Sequence, residues 1–184
     1  ALTLVSDYSL FMTEKQQNIL QAAGELFATE GYYATATSKV AKKAGVSEGL
    51  IFKHFGNKAG LLDAILQDGE KRIKLAYAFV IMQTDPKEVL RKTIELPFSI
   101  SAEEYEFWKL QYKLKWELKE QPQDKMQPLY FSLEEAFSQL GYEDPATEAD
   151  FLIQLIEGFG AALLKGQFAD PDKIKALTLK KYGL

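Results

Sequence analysis

Residues 37–58 read TSKVAKKAGVSEGLIFKHFGNK, and this stretch has the proportions of two short helices joined by a tight turn. Gly45 interrupts the first helix, and a short turn containing glycine is typical of a helix-turn-helix. Glycine adopts backbone conformations that other residues resist, so Gly45 suits the turn. Ala41 is small where the two helices must cross, and Val46 and Ile51 can anchor the second helix on the first. The stretch therefore predicts a helix-turn-helix.

Capping residues mark where the neighbouring helices begin. Thr13 and Gln16 have the spacing of a capping box, which predicts a first helix over about residues 13–30. Thr37 and Ser47 are candidate caps for the two short helices, and Asn57 for a long helix that reaches about residue 82. At ~1.5 Å per residue that helix would measure about 36 Å, enough to link an N-terminal head to a body. Apolar residues recur at helical spacing in the first helix: Ile19, Ala22, Ala23, Leu26 and Phe27.

The rest of the chain also predicts helices and no sheet. Helices are expected from Pro86, over about 102–120, 125–140 and 146–165, and after Pro171. The expected fold is all-α, with a three-helix head joined by a long helix to a helical body. Residues 1–12 are expected to be an extension outside the fold, residues 13–57 the helix-turn-helix domain, and residues 58–184 the body.

Composition narrows the chemistry that is available. The chain has no cysteine and one histidine, His54, which excludes disulfides, thiolate metal sites and multi-histidine metal sites. Neither a nucleophile–base pair nor a glycine-rich phosphate loop is evident, so we expect no enzyme activity and no metal or cofactor. No apolar run approaches the ~18 residues that span a bilayer, and residues 1–11 lack the positive charge of a signal peptide. The expected location is the cytoplasm, with no membrane partner.

Charge is distributed unevenly along the chain. The formal net charge is −4, yet residues 12–61 contain six lysines and four glutamates. Residues 62–184 contain 16 basic and 21 acidic residues. A mildly basic head on an acidic body is compatible with a head that contacts nucleic acid.

The spacing Thr37-(x)3-Ala41-(x)3-Gly45-Val46-Ser47-(x)6-His54-Phe55-(x)2-Lys58 resembles the DNA-binding signature of the TetR family of transcriptional regulators. The segment AKKAGVSEGLIFKHFGNKAGLL fits that signature almost throughout, and ILQAAGELFATEGYYATAT resembles the family's first helix and following loop. The resemblance covers about residues 13–62, and beyond them it extends only to helical layout and length.

The resemblance implies roles for residues of the head. Thr37 would contact a phosphate, His54 would meet the DNA backbone, and Lys58 would hold a phosphate at a helix N-terminus. Base readout would fall to the exposed face of the third helix. Lys39 and its neighbouring lysines either add to the positive field or form an ordinary solvated face. The predicted DNA-binding residues are Thr37, Lys39, Ser47, Glu48, Gly49, Lys53, His54 and Lys58.

Three positions in the third helix qualify this prediction. Phe52 stands where the family often has tyrosine, so one phosphate hydrogen bond is expected to be missing. Leu50 stands where threonine or serine is frequent and offers an apolar contact, for example to a thymine methyl. Glu48 either accepts a hydrogen bond from a cytosine amino group or favours the helix N-terminus through its charge.

The helix expected over 146–165 is apolar on every side, so it must be buried on every side. A second subunit or a purely internal core would satisfy that requirement. The resemblance implies a two-fold dimer in which the helix over 125–140 is the companion, with recognition helices ~34 Å apart on palindromic DNA. The predicted dimer-interface residues are Leu129, Leu133, Phe137, Phe151, Leu155, Phe159, Ala162 and Leu163.

Aromatic residues form a stripe along the helix over 102–120. The stripe is either core packing or one wall of a ligand pocket, because buried tyrosine and tryptophan need polar partners. The resemblance implies a small, partly apolar effector that favours one spacing of the heads, with the long helix as lever. The predicted pocket residues are Phe79, Met82, Phe98, Tyr105, Trp108, Tyr112, Trp116 and Phe131.

Together these features predict a homodimeric, sequence-specific DNA-binding regulator. The expected action is repression at a palindromic operator, relieved by a small-molecule effector. The alternative is a protein-interaction adaptor that uses the helix-turn-helix for structure only, without effector control. Binding of double-stranded operator DNA distinguishes the two.

Overall fold

The computed structural model describes residues 12–117 and 123–184. The side chains of Glu103, of residues 115–117 and of residues 123–125 lie outside that description. The predicted extension over 1–12 therefore falls, apart from Met12, outside the described residues.

The described ranges form helices and no strand, which confirms the all-α fold class. Two short 3-10 turns, Leu96–Ser99 and Ala102–Glu104, lie between the fifth and sixth helices. The helices are α1 (Glu14–Glu30), α2 (Thr37–Ala44), α3 (Glu48–Phe55), α4 (Lys58–Ile81), α5 (Pro86–Glu95), α6 (Tyr105–Glu117), α7 (Gln123–Gln139), α8 (Pro145–Leu164) and α9 (Pro171–Lys181).

Three of the four predicted helix starts are confirmed by their hydrogen bonds or position, and the fourth is shifted. Thr13 and Gln16 form a complete capping box at α1. The N–H of Gly60 donates to Asn57 Oδ1 at 2.9 Å, which satisfies a free donor in the first turn of α4. Ser47 lies at the N-cap of α3 but makes no side-chain capping bond. Thr37 is the first residue of α2 rather than its cap, because the extended Ala36 precedes it.

The chain divides into two compact units, of which the first holds the helix-turn-helix. Its described part consists of residues 12–73 and 106–117. Full burial of a side chain such as Phe27 stabilises a fold by roughly 1.5–3 kcal/mol, so these buried residues fix the packing of α1–α3 on the start of α4. The buried residues of this unit include Ile19, Ala23, Phe27, Val40, Ala41, Ile51, Leu61, Leu62 and Ile65.

Helix α6 belongs to this first unit although it lies far along the chain. The amide Nε2 of Gln111 donates to the carbonyl oxygen of Ile65 at 2.9 Å, and Nζ of Lys113 donates to the carbonyl of Ala28 at 2.7 Å. Leu110 and Leu114 are buried. The compact unit is therefore larger than the domain expected over residues 13–57, whose independence as a DNA-binding domain stays a prediction.

The second unit is a helical body made of residues 74–105 together with the described residues of 123–184. Helices α5, α7 and α8 pack together around its core. The buried core residues are Val80, Val89, Leu90, Ile94, Leu129, Leu133, Ala136, Phe137, Ala149, Leu152, Ile153 and Ile156.

Burial within one chain corrects part of the predicted dimer interface. Leu129, Leu133 and Phe137 have no exposed surface, so they have no area to offer a partner and are core residues. On α8, by contrast, Phe151 is 58% exposed. The other predicted α8 residues, Leu155, Phe159, Ala162 and Leu163, are half-buried.

Among the described residues, no helix combines the length and apolar character needed to cross a membrane.

Candidate nucleic-acid interface

The turn between α2 and α3 has the geometry that the sequence predicts. Gly45 adopts the left-handed conformation, with φ 68° and ψ 32°. The N–H of Val46 donates to the carbonyl of Ala41 at 3.0 Å, which closes the C-terminus of α2. Ala41 and Ile51 are buried, so each helix presents its opposite face to solvent.

A short hydrogen bond joins the beginnings of α2 and α3. Thr37 Oγ1 donates to Glu48 Oε1 at 2.6 Å, and both side chains are half-buried. Glu48 is also the acidic residue in the first turn of α3, where negative charge is favoured. The contact with Thr37 is an arrangement that neither sequence interpretation of Glu48 included.

His54 is held by Gln16 from α1. Oε1 of Gln16 accepts from the backbone N–H of Thr13 at 2.9 Å. This bond assigns the oxygen of the Gln16 amide to the Thr13 side and the nitrogen, Nε2, to the other side. Gln16 Nε2 lies 3.3 Å from His54 Nδ1, and the amide donates to Nδ1 when the ring is in its Nε2–H tautomer. That tautomer is the one able to donate from Nε2 to a phosphate oxygen.

Lys58 at the start of α4 is held against the loop between α1 and α2. Its Nζ donates to the carbonyl oxygen of Tyr33 at 3.1 Å and lies 4.7 Å from the centre of the Tyr32 ring. Burial raises the pKa of the Tyr32 hydroxyl, and the nearby Tyr33 and Asp63 raise it further. Tyr32 thus faces the ammonium as a neutral ring.

The lysines of α2 are partly neutralised by acids on α1. Nζ of Lys39 bonds to Glu30 Oε1 at 2.5 Å, and Nζ of Lys43 lies 2.9 Å from Glu25 Oε2. The hydrogen bond from Lys43 is the largest cause that lowers the pKa of Glu25. Exposed pairs of this kind stabilise by only about 0–1 kcal/mol, so either lysine can exchange its partner for a phosphate at little cost.

The remaining predicted DNA-binding residues lie on the exposed side of α3. Ser47, Gly49 and Lys53 are exposed, whereas Ile51 is fully buried beneath them. Phe52 is 46% exposed and Leu50 is half-buried. The eight predicted residues therefore lie on α2, on α3 or its N-cap, and at the start of α4, all within the first unit.

Two residues of this surface escape prediction from the sequence. Tyr33 is 78% exposed beside Lys58, and Gln16 orients His54. Tyr32 and Tyr33 follow Gly31, and two adjacent tyrosines in a loop predict that one ring is exposed to solvent. The sequence does not identify which of the two rings is exposed. The contact of Gln16 spans 38 residues and leaves no local pattern in the sequence.

The predicted effector-pocket residues differ widely in burial. Phe79, Met82 and Phe131 are 48%, 76% and 58% exposed. Phe98 packs against Phe159, with ring centres 5.7 Å apart. Tyr105, Trp108 and Tyr112 are half-buried, and the side chain of Trp116 lies outside the described residues. The pocket stays a prediction.

The fold and this surface together define a helix-turn-helix protein. Residues 19–65 match the family model described as bacterial regulatory proteins, tetR family. The helix-turn-helix region of the chain is therefore similar to the DNA-binding region of the TetR family.

Curated relatives carry matching names. The chain is 47% identical over 55 residues to the uncharacterized HTH-type transcriptional regulator YvkB of Bacillus subtilis, covering 30% of this chain and 29% of YvkB. It is 29% identical over 110 residues to the HTH-type transcriptional repressor AcnR of Corynebacterium glutamicum, covering 60% of this chain and 54% of AcnR. The matched parts thus span less than two thirds of either relative.

Solved structures extend the likeness in fold to nearly the whole chain. One is a putative transcriptional regulator from Saccharomonospora viridis in complex with choline, with a TM-score of 0.69 and 22% identity. The match covers 93% of this chain and 96% of that one. At this identity the likeness concerns the fold.

Proposed function

We propose that this chain is a dimeric transcriptional regulator that binds operator DNA by placing α3 in the major groove. The observation that carries the proposal is the exposed face of α3 between two helix N-termini that present Thr37 and Lys58. Helix N-termini, hydroxyls and lysines are common phosphate ligands, and they position a protein on DNA without reading its sequence.

Three side chains are proposed to set the position of the head on the backbone. Lys58 combines its ammonium with the N-terminus of α4, and Thr37 offers a hydroxyl at the start of α2. His54 offers Nε2–H because Gln16 occupies its other nitrogen. The backbone carbonyl of the exposed Tyr33 accepts from Lys58 and helps to hold that ammonium in place.

Sequence readout is assigned to Ser47, Gly49 and Lys53 on the open face of α3. Lysine donates to the O6 and N7 acceptors of guanine, and a serine hydroxyl bonds to acceptors or donors. Gly49 has no atom within 4 Å of the place where a Cβ would lie, so the helix surface is open to close approach by a base edge.

The dimer is proposed to form on α8. Phe151 leaves 58% of its surface exposed, and an exposed large apolar side chain beside other apolar groups marks a contact surface. Two copies related by a two-fold axis would present two α3 helices to half-sites ~34 Å apart.

A small, partly apolar effector is proposed to release the repressor from its operator, with the cytoplasm as its place of action. The aromatic residues of α6 and the choline bound by the Saccharomonospora viridis protein support a small ligand. No more specific chemistry is assigned to it.

Selection of duplexes from a random 30-bp library tests the DNA-binding proposal. We expect recovery of a palindrome bound at least ~10³-fold more tightly than scrambled DNA, as specific regulators achieve. Lys53→Ala should weaken that binding, whereas Lys181→Ala on α9 is a control that leaves it unchanged. Absence of binding to every duplex would instead favour the adaptor alternative.

A further inference from the structure

The carboxylate of Glu48 lies at the N-terminal end of α2, where the proposed function places a phosphate. Glu48 Oε1 is 2.6 Å from Thr37 Oγ1. Helix α2 has no acidic residue in its own first turn, and Ala36 supplies no side-chain cap. Glu48 therefore provides, from the neighbouring helix, the negative charge that a helix N-terminus favours.

Glu48 and a phosphate compete for the same hydrogen. A threonine hydroxyl has a single proton, so Thr37 donates either to Glu48 or to a DNA phosphate. The bond to Glu48 is short and is made to an ionised acceptor, which places it among the stronger hydrogen bonds. A phosphate close to Thr37 would in addition approach the like charge of Glu48.

We propose that Glu48 is a specificity-determining residue that weakens binding to DNA of arbitrary sequence by holding Thr37 and repelling a phosphate there. This inference rests on the proposed DNA-binding function. At the correct site, a base-edge donor such as the cytosine amino group donates a hydrogen bond to the freed carboxylate of Glu48. DNA without a donor at that position leaves Glu48 bonded to Thr37, and that DNA loses one phosphate contact.

The test measures binding to a non-operator duplex of mixed sequence and 30 bp by fluorescence anisotropy. Glu48→Gln keeps the shape of the side chain and removes its charge. We expect this variant to bind about fivefold more tightly than the wild type, equivalent to about 1 kcal/mol. Glu25→Gln is the matched control, because it removes the same charge from a carboxylate that pairs with Lys43 rather than Thr37.

Salt separates a local effect from the general loss of negative charge. Raising NaCl from 0.05 to 0.3 M shortens the Debye length to between roughly 3 and 8 Å. The advantage of Glu48→Gln should persist at the higher salt, whereas any gain of Glu25→Gln should vanish. Circular dichroism checks that each variant folds, and Glu48→Ala serves as a second variant should Glu48→Gln fail to fold.

A double-mutant cycle identifies Thr37 as the route of the effect. In a Thr37→Val background, which removes the hydroxyl and keeps the branched shape, Glu48→Gln should gain less than it does in the wild type. The ratio of operator to non-operator affinity should also fall in Glu48→Gln, with the operator taken from library selection.

The outcomes distinguish this inference from the proposed function. If the wild type binds duplexes but Glu48→Gln binds the non-operator duplex no better than Glu25→Gln, the role of Glu48 is wrong and DNA binding stands. If the wild type binds no duplex even at 0.05 M NaCl, both proposals fail. Equal gains from Glu48→Gln with and without the Thr37 hydroxyl would also reject the competition.

Discussion

The Nζ atom of Lys58 lies 4.7 Å from the centre of the Tyr32 ring while it donates to the carbonyl oxygen of Tyr33. These two contacts hold a cation at the start of α4 before any DNA is present. A phosphate ligand that is already oriented loses less side-chain entropy when it binds.

Replacing Lys58 with alanine should weaken binding to all duplexes alike. We expect the slope of log affinity against log salt to shrink by about 1 for each head, or about 2 for a dimer, since each phosphate contact contributes about one released counterion. Anisotropy titrations from 0.05 to 0.2 M NaCl measure the slope. An unchanged slope would remove Lys58 from the phosphate ligands.

Replacing Gln16 with alanine should lower DNA affinity through His54. The variant loses the fixed orientation of the ring and the side-chain hydrogen bonds of Gln16 to the Thr13 N–H, the Thr13 hydroxyl and His54, each contributing about 1 kcal/mol to stability. We expect affinity to fall a few fold while the protein remains folded. Gln21→Ala, which loses only an exposed bond to Glu25, is the control. Equal affinities for the two variants would contradict the positioning of His54 by Gln16.

Two glycines should respond to alanine in opposite ways. A Cβ at Gly60 would lie 2.0 Å from the carbonyl oxygen of Phe55, a distance that forces the backbone to shift. Overpacking of this kind typically costs about 1–3 kcal/mol or more. Gly49 meets nothing within 4 Å, so alanine there should stabilise α3 by up to about 1 kcal/mol. Urea unfolding of the two alanine variants measures both effects. Similar unfolding midpoints for the two variants would contradict the close contact at Gly60.

Replacing Phe151 with arginine should convert the proposed dimer to a monomer. The side chain is 58% exposed, so the charge costs little in one chain but would be buried at an interface. Sedimentation velocity measures the change. Leu177→Arg on α9, at a side chain 53% exposed, is the matched control. Dimers that survive in Phe151→Arg would place the interface elsewhere.

Tyr182 should make the body sensitive to alkaline pH. Burial raises the pKa of its hydroxyl to about 12 from the ordinary tyrosine value of 10.0, so the folded state holds the proton more tightly than the unfolded state. The resulting stability is present below pH 10 and is lost as the pH rises towards 12. Tyr182→Phe should therefore lose less stability than the wild type between pH 8 and 11.5, measured by urea midpoints. Equal losses of stability in Tyr182→Phe and the wild type over this pH range would contradict the raised pKa of Tyr182.

Local patterns predicted the head well because its chemistry is local. The spacing of Ala41, Gly45 and Val46 predicts the turn that the structure shows, and Asn57 caps α4 as expected. Hydrogen bonds between different helices could not be predicted from the sequence in the same way. The bond from Thr37 to Glu48 depends on how two helices cross, and no single-helix pattern encodes that crossing.

The body shows what an apolar pattern leaves open. The stripe of Leu129, Leu133 and Phe137 correctly predicts burial, but periodicity does not identify the partner that buries it. The structure buries all three within one chain, against α5 and α8. The membership of α6 in the first unit was equally hidden, because Gln111 reaches Ile65 across 46 residues.

That membership matters for anyone building chimaeras from this protein. A fragment that ended at residue 73 would lose α6, which buries Leu110 and Leu114 and, through Lys113, covers the exposed end of α1 at Ala28. The fragment would carry the whole recognition surface, but the apolar side chains that pack against Leu110 and Leu114 would become exposed to water. Grafting this head onto a foreign body therefore requires transplanting residues 106–117 as well.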